Sequence, residues 1–234
     1  MTTPPVRFTP LVVRRTARLA LRGPAEGPVR EWWIVLHGYG QLAGAFLDGL
    51  GAIDDGTRLL VAPEALSRFY EGTVEERVRR KGEQVVGASW MTKEARLDDI
   101  ADNTAYLDAV HAWGAEHLRA TGAGAPPLTV LGFSQGAATT VRWVQAGTAS
   151  VARHVVWGST MPPDADLGPA SPLRRADTSL VIGARDQFAT EKLVGAERAR
   201  LDAAGFPYRF ASFDGGHRLD DATLRALAGS PAAP

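Results

Sequence analysis

The chain contains no cysteine among its 234 residues. This absence excludes a disulfide framework, a thiolate nucleophile and a cysteine-based zinc site, so a covalent nucleophile would be serine, threonine, lysine or a carboxylate. Basic and acidic residues number 26 each, which leaves no net charge to attract nucleic acid or an anionic membrane. The sequence also has no apolar run of membrane-spanning length and no basic region leading into an apolar signal stretch. We therefore expect a cytoplasmic protein without a membrane span.

Apolar runs and helical patterns alternate along the chain. Strands are predicted at residues 17–21, 31–36, 57–63, 128–131, 151–157, 178–182 and 208–213. Helices are predicted at residues 42–53, 97–120, 137–144, 191–204 and 220–228. This alternation predicts an α/β fold, a mostly parallel sheet with helices on both faces, and the length fits a single domain over residues 1–234. At the start, residues 11–13 and 17–21 are predicted to form a hairpin at the sheet edge.

One segment interrupts the alternation. Residues 71–84 are dense in charges of both signs and follow a predicted strand. The favoured interpretation is a solvated loop or a short surface helix with paired charges. The alternative is a mobile flap or surface insertion over residues 71–89, because such a segment would extend from the carboxyl edge of the sheet.

The most informative motif is Gly132-Phe133-Ser134-Gln135-Gly136, which directly follows a predicted buried strand. A serine between glycines, at a turn from strand to helix, is typical of the nucleophile elbow that exposes a reactive hydroxyl. The pattern is short enough to occur by chance, in which case the turn would carry an idle serine. Its position between a strand and a helix favours Ser134 as a nucleophile.

A nucleophilic serine needs a histidine base, and the base is expected in a loop at the carboxyl end of a strand. His111 and His117 fall within the predicted long helix, where a packing or surface role is expected. His154 precedes an apolar run, which places it at the opposite end of its strand. His217 follows the strand at 208–213 through a short loop, so His217 is the predicted base.

The base needs a carboxylate that fixes its tautomer and stabilises its charged form. Asp186 follows the strand at 178–182 through a short loop and meets this condition. Asp214 is the second choice, because it lies only three residues before His217. Ser134, Asp186 and His217 then occur in the chain order that this architecture uses.

Backbone N–H groups are needed to stabilise the oxyanion that forms in acyl transfer. The loop His37-Gly38-Tyr39-Gly40 follows a buried strand, so the N–H of Tyr39 can converge with that of Gln135 on one oxygen. Tyr39 is expected to contribute its N–H and not its ring. For His37 we favour a role in bracing the loop through hydrogen bonds to nearby backbone.

Four apolar side chains are predicted in loops at the same edge of the sheet: Phe69, Trp90, Met161 and Phe188. Each taken singly is typical of packing. Together they favour a site for an apolar acyl or alcohol group.

These residues resemble the α/β-hydrolase superfamily and, within it, the phospholipase/carboxylesterase family that includes acyl-protein thioesterases. The resemblance rests on Leu36-His37-Gly38-Tyr39-Gly40, the Ser-Gln-Gly form of the elbow, Trp90, Asp186 and Gly216-His217. It implies the same triad of Ser134, Asp186 and His217, with an oxyanion hole made by the N–H groups of Tyr39 and Gln135. Gln41, where members often have aspartate, and Ala137, where a second glycine is frequent, are departures that leave the substrate open.

The sequence thus predicts a serine carboxylesterase that hydrolyses small to medium hydrophobic esters through an acyl-enzyme, without a metal or organic cofactor. Two alternatives use the same machinery, on thioesters or on lysophospholipids. An alternative of another class is a non-catalytic binding protein on a hydrolase scaffold, since a fold does not guarantee a function.

Overall fold

The computed structural model describes residues 6–80 and 83–229. Its strands, numbered in chain order, are β1 (Leu19–Arg22), β2 (Glu31–Leu36), β3 (Arg58–Pro63), β4 (Ser67–Tyr70), β5 (Val86–Ser89), β6 (Leu128–Phe133), β7 (Arg153–Trp157), β8 (Asp177–Gly183) and β9 (Arg209–Phe213). Its α-helices are α1 (Ala43–Asp48), α2 (Val74–Arg79), α3 (Arg96–Ala120), α4 (Gln135–Ala146), α5 (Glu191–Ala203) and α6 (Asp221–Gly229). None of the helices in these two ranges is long and apolar enough to cross a membrane.

Seven strands form one sheet in the order β1-β3-β2-β6-β7-β8-β9. All neighbouring strands are parallel except β1, which pairs antiparallel with β3 at one edge. The predicted mostly parallel sheet is therefore confirmed. Because parallel strands have their carboxyl ends at the same edge, the loops after β2, β6, β7, β8 and β9 lie near one another.

The sheet is buried on both faces, as the side chains of β2 illustrate. Trp32, Ile34 and Leu36 join a core cluster with apolar residues of α3, α4 and α5. Trp33 and Val35 point to the other face and pack in a second cluster with residues of α1 and α6. Side chains alternate across a strand, so a continuous apolar run fits a strand covered by helices on both sides. The predicted α/β fold with helices on both faces is confirmed.

The predicted edge hairpin at the start of the chain is wrong. The edge strand β1 begins only at Leu19, and its hydrogen-bonded neighbour is β3 instead of residues 11–13. Leu11, Val12 and Val13 are between 72% and 92% exposed and belong to no strand. An apolar triplet forms a strand only where a neighbouring strand supplies hydrogen-bond partners, and none of the described strands does so here.

The charged segment contains a short surface helix, as the favoured interpretation predicts. Helix α2 begins with a capping box, in which the Thr73 hydroxyl accepts from the N–H of Glu76 and the Glu76 carboxylate accepts from the N–H of Thr73. The segment lies between β4 and β5, an antiparallel pair that the sequence did not predict. Residues 81 and 82 of the segment lie outside the described residues. A movement of residues 71–89 over the site stays a prediction.

Candidate active site

The turn at Ser134 has the strained geometry that the motif predicts. Ser134 joins β6 to α4 with φ 54° and ψ −117°, in the region of positive φ that side chains rarely adopt. Its N–H donates to the carbonyl of Trp157 at 2.8 Å, which ties the turn to β7. A β-carbon at Gly132 would lie 2.5 Å from Ala137 Cα, and one at Gly136 would lie 2.4 Å from the Leu36 carbonyl oxygen. Both glycines are therefore required by close backbone approach at the turn.

Asp186 and His217 meet at the carboxyl edge of the sheet, in the loops after β8 and β9. His217 Nδ1 lies 2.7 Å from Asp186 Oδ2, and the side chains are 14% and 1% exposed. The other carboxylate oxygen, Oδ1, accepts from the N–H groups of Phe188 and Ala189 at 2.8 and 3.0 Å. The loop after β8 thus holds the carboxylate in one orientation against the imidazole.

The pKa of the Asp186 carboxyl lies below its ordinary value. Burial acts to raise this pKa, but the hydrogen bonds from Ala189, His217 and Phe188 outweigh it because they stabilise the charged form. Asp186 is therefore a carboxylate at neutral pH. An ionised acceptor fixes the imidazole tautomer that carries its proton on Nδ1, which leaves Nε2 able to accept a proton.

The ring of His217 lies beside the elbow. Its centroid is 4.8 Å from that of Phe133, the residue before Ser134. A β-carbon on Gly158, which follows the Trp157 carbonyl that binds Ser134, would lie 3.1 Å from His217 Cε1. Within the described residues, the Ser134 hydroxyl forms no hydrogen bond with His217. Such bonds are often long without a ligand and shorten when substrate binds.

The second-choice carboxylate, Asp214, lies apart from the imidazole. Its side chain is 81% exposed and forms an ion pair with Arg185. The other histidines are also elsewhere: His111 stacks on Trp32 and His117 stacks on Trp113.

His154 lies inside β7, fully buried, with Nε2 3.0 Å from the Thr140 hydroxyl. Burial lowers the pKa of His154 to about 4, so this ring is neutral and belongs to the core.

The loop after β2 is braced by His37, as the sequence predicts. His37 is fully buried, and its Nε2 accepts from the N–H of Ala65 at 3.1 Å. Because that nitrogen is an acceptor, Nδ1 carries the proton and donates to the Gly38 carbonyl at 2.8 Å. Burial lowers the pKa of His37 more than the Gly38 hydrogen bond and the charge of Glu64 raise it. His37 is therefore a neutral brace and lies behind the loop.

Hydrogen bonds within the protein occupy two N–H groups of this loop. The N–H of Gly38 donates to Gln41 Oε1 at 2.8 Å, and that of Gly40 donates to the Ala88 carbonyl at 2.9 Å. Tyr39 N–H has no acceptor among the described residues. Gln135 is the first residue of α4, where N–H groups have no acceptor within the helix. The two predicted donors are thus both available.

Trp90 ties these two donor segments together, a role that the sequence did not predict. Its N–H donates to Gln135 Oε1 at 2.9 Å, and its indole Nε1–H donates to the His37 carbonyl at 2.8 Å. The Gln135 amide also donates to the Met91 carbonyl at 2.7 Å. The Trp90 carbonyl in turn accepts from Asn103 Nδ2 at 2.5 Å. Gln135 therefore anchors the chain after β5 through its side chain while its N–H stays free.

The four residues predicted to line a substrate pocket divide into two pairs. Phe69 is half-buried and stacks on Tyr39 at 5.2 Å, and the exposed Phe188 lies edge-on to His217 at 4.8 Å. Trp90 and Met161 are each only 2% exposed and belong to the core. The structure brings the first pair to the surface of the site and places the second pair behind it.

A cavity of about 300 Å³ opens beside His217. It lies between α1, which follows the loop of His37, and the chain that follows His217. Its wall includes Gln41, Ala45, Phe46, Phe133, His217 and Leu219. Sequence reasoning missed the contribution of α1, although the apolar helical spacing after residue 42 places that helix next to the loop.

The strand order, the elbow after β6 and the positions of Asp186 and His217 after β8 and β9 define an α/β-hydrolase fold. The structure is similar to that of a carboxylesterase from Mesorhizobium loti, with a TM-score of 0.65 and 20% identity over 92% of this chain and 95% of that one. It is also similar to Zea mays acyl-protein thioesterase 2, with a TM-score of 0.66 and 17% identity over 91% and 96% of the two chains. Esterase PE8 matches with a TM-score of 0.62 and 18% identity over 92% and 97%.

Comparisons of sequence, unlike those of structure, find no relative. No protein-family model matches it, and no curated protein matches it in a sequence search. At identities of 17–20% the structural likeness concerns the fold. A shared fold does not determine an activity, which depends on the residues of the site.

Proposed function

We propose that the protein is a serine hydrolase that cleaves carboxylic esters, with Ser134 as nucleophile, His217 as base and Asp186 as the group that orients His217. The observation that carries the proposal is the 2.7 Å hydrogen bond between His217 and the buried Asp186, beside a serine held at positive φ. A serine without a catalytic role on an ordinary turn requires neither a positive φ nor a hydrogen-bonded histidine and aspartate beside it. Backbone strain of this kind costs roughly 1–3 kcal/mol and is concentrated at functional sites.

The proposed reaction has two halves. Ser134 Oγ attacks the ester carbonyl carbon while its proton passes to His217 Nε2, and the N–H groups of Tyr39 and Gln135 stabilise the oxyanion. The bond to the alcohol oxygen then breaks, and that oxygen takes the proton from His217. Water repeats the sequence on the acyl-enzyme, giving its proton to His217 and releasing the acid as Ser134 recovers the proton. No group outside the chain is consumed except the ester and water.

The exposed aromatic surface around the site supports an uncharged, apolar substrate. Phe69 and Phe188 lie on the two sides of the proposed centre, through their contacts with Tyr39 and His217. Thioesters and lysophospholipids would use the same steps, so both belong in a hydrolysis series that ranks the substrates. A binding protein without catalysis would need none of these proton transfers.

Labelling by a fluorophosphonate tests the proposal directly. The folded protein is expected to take up one phosphonyl group, and peptide mass spectrometry should place it on Ser134, because the reagent reacts with a serine that a histidine activates. Heat-denatured protein is the control and should stay unlabelled. A hydrolysis series of ester, thioester and lysophospholipid with the same acyl group then ranks the three substrate classes. Absence of labelling in folded protein would favour the non-catalytic binding protein.

Trp90→Phe tests whether Trp90 positions the two oxyanion donors. The variant keeps an aromatic ring but leaves the buried His37 carbonyl without its indole donor. An unsatisfied buried acceptor lowers the free energy of unfolding by about 1–3 kcal/mol. We expect kcat to fall roughly tenfold with KM little changed, since only the transition state uses the donors fully.

Trp113→Phe is the matched control, because Trp113 lies 38% exposed on α3 and stacks on His117. It should leave kcat unchanged. If Trp90→Phe lowers the melting temperature but not kcat, Trp90 serves only the stability of the core.

A further inference from the structure

The cavity of about 300 Å³ lies on the His217 side of the proposed reaction centre. It extends from the ring of His217 between Leu219 and helix α1, where Ala45 and Phe46 form its wall. The hairpin of β4 and β5, with Phe69 stacked on Tyr39, lies on the oxyanion loop instead. The cavity is therefore continuous with His217 and separate from the stacked rings of Tyr39 and Phe69.

We propose that this cavity binds the alcohol group of the ester, an inference that rests on the proposed function. Asp186 occupies Nδ1 of His217, so only Nε2 can move a proton between Ser134 and the leaving oxygen. Because that oxygen must lie within hydrogen-bond distance of Nε2 when it departs, the alcohol group lies next to His217. The cavity lined by His217 offers space for such a group at this position.

One part of the cavity wall fits an apolar group. The rings of Phe46 and Phe133 stack with centroids 6.1 Å apart, and Ala45 and Leu219 complete an aliphatic surface. Gln41 Oε1 is occupied by the N–H of Gly38, so the Nε2 group of Gln41 remains as a hydrogen-bond donor. One amide donor beside this aliphatic and aromatic surface fits an uncharged alcohol group with few polar atoms.

The positive charge of Arg218, which lines the cavity, is already engaged by neighbouring groups. Its guanidinium lies 5.5 Å from the centre of the Phe213 ring, donates to the Leu219 carbonyl at 3.0 Å and is 3.6 Å from Asp220. A phosphorylated alcohol such as a lysophospholipid headgroup would need a cation that is not engaged in this way. The cavity therefore selects neutral alcohols.

The size of the cavity limits the alcohol group. A water molecule takes about 30 Å³ in the liquid, so a cavity of about 300 Å³ holds roughly ten heavy atoms. A benzyl group fits within this volume, whereas a long alkyl chain or a two-ring system with substituents would extend out of the cavity into solvent. The proposed substrate class is an ester of a compact neutral alcohol up to the size of benzyl alcohol.

Ala45→Leu tests the assignment with methyl and benzyl butyrate, two esters that form the same butyryl-enzyme. The variant adds three carbon atoms at the wall, so kcat/KM for benzyl butyrate should fall roughly 10- to 100-fold, as expected when a pocket loses room for several methylene-sized groups. Methyl butyrate should react as before. Where hydrolysis of the butyryl-enzyme limits turnover, kcat should be the same for both esters.

Gly44→Ala is the matched control, because Gly44 lies on the same helix and a β-carbon there meets no atom within 4 Å. It should change neither ester. An equal loss with methyl and benzyl butyrate overturns the assignment. A changed preference among methyl esters of different acyl length also overturns it, since the cavity would then bind the acyl group. Fluorophosphonate labelling of the unsubstituted protein separates the two proposals, because labelled Ser134 with either contrary result removes only the cavity assignment.

Discussion

Replacing Ser134 with alanine is expected to lower ester hydrolysis by roughly 10⁴- to 10⁶-fold, because the members of a catalytic triad act as a unit and the nucleophile forms the covalent intermediate. The substitution removes one oxygen atom and keeps the β-carbon, so the backbone strain at φ 54° is unchanged. The free energy of unfolding should therefore stay as it is. Initial rates with a butyrate ester, measured beside a denaturant titration, check both expectations.

Ser134→Gly extends this test to the strain itself. Glycine adopts positive φ without steric cost, so this variant should be as inactive as Ser134→Ala but about 1 kcal/mol more stable. Higher stability together with lost activity would identify Ser134 as a position strained for its function. Ordinary turnover by folded Ser134→Ala would contradict the proposed nucleophile, and the hydrolysis would then belong to another group.

The parallel sheet is the part of the fold that the local pattern of apolar residues predicts. A run such as residues 32–36 is apolar on both faces, and only a strand between two layers of helices buries both. The same reasoning placed His217 and Asp186 in loops at one edge of the sheet, where their side chains meet, because the carboxyl ends of parallel strands share one edge. Neither step needs knowledge of which strands are neighbours.

The parts that the sequence did not predict depend on contacts between distant segments. Strands β4 and β5 are four residues each and are separated by 15 residues that include α2, so no local periodicity marks their pairing. The roles of Trp90 and the Gln135 side chain arise where three segments meet through hydrogen bonds. Trp90 was expected to contact substrate because it is apolar and near the site, but only tertiary packing decides which side of a loop a ring faces.

The cavity beside His217 also depends on contacts between distant segments, which the sequence does not predict. Its wall combines α1 with residues after β9, which are more than 160 positions apart in the chain. The sequence predicted both elements, but the space between them depends on how α1 packs on the sheet. The proposed alcohol selectivity therefore depends on the packing of α1, and the elbow motif carries no information about it.

Asp186→Asn is expected to lower turnover by on the order of 10⁴-fold. The N–H groups of Phe188 and Ala189 both donate to Oδ1, so the oxygen of an asparagine will stay there and its amide nitrogen will face His217 Nδ1. A donor at that position forces the imidazole proton onto Nε2, which can then no longer accept the proton of Ser134.

The retained loop hydrogen bonds should keep Asp186→Asn folded, which near-ultraviolet circular dichroism would verify. Asp214→Asn is the matched control, because Asp214 is 81% exposed and pairs with Arg185, and it should keep full activity. If Asp214→Asn caused the large loss and Asp186→Asn did not, the orienting carboxylate would be Asp214. Because the hydrogen bonds hold the pKa of Asp186 below its usual range, ionisation of this carboxyl should not limit kcat between pH 5 and 8, roughly the range in which histidine titrates.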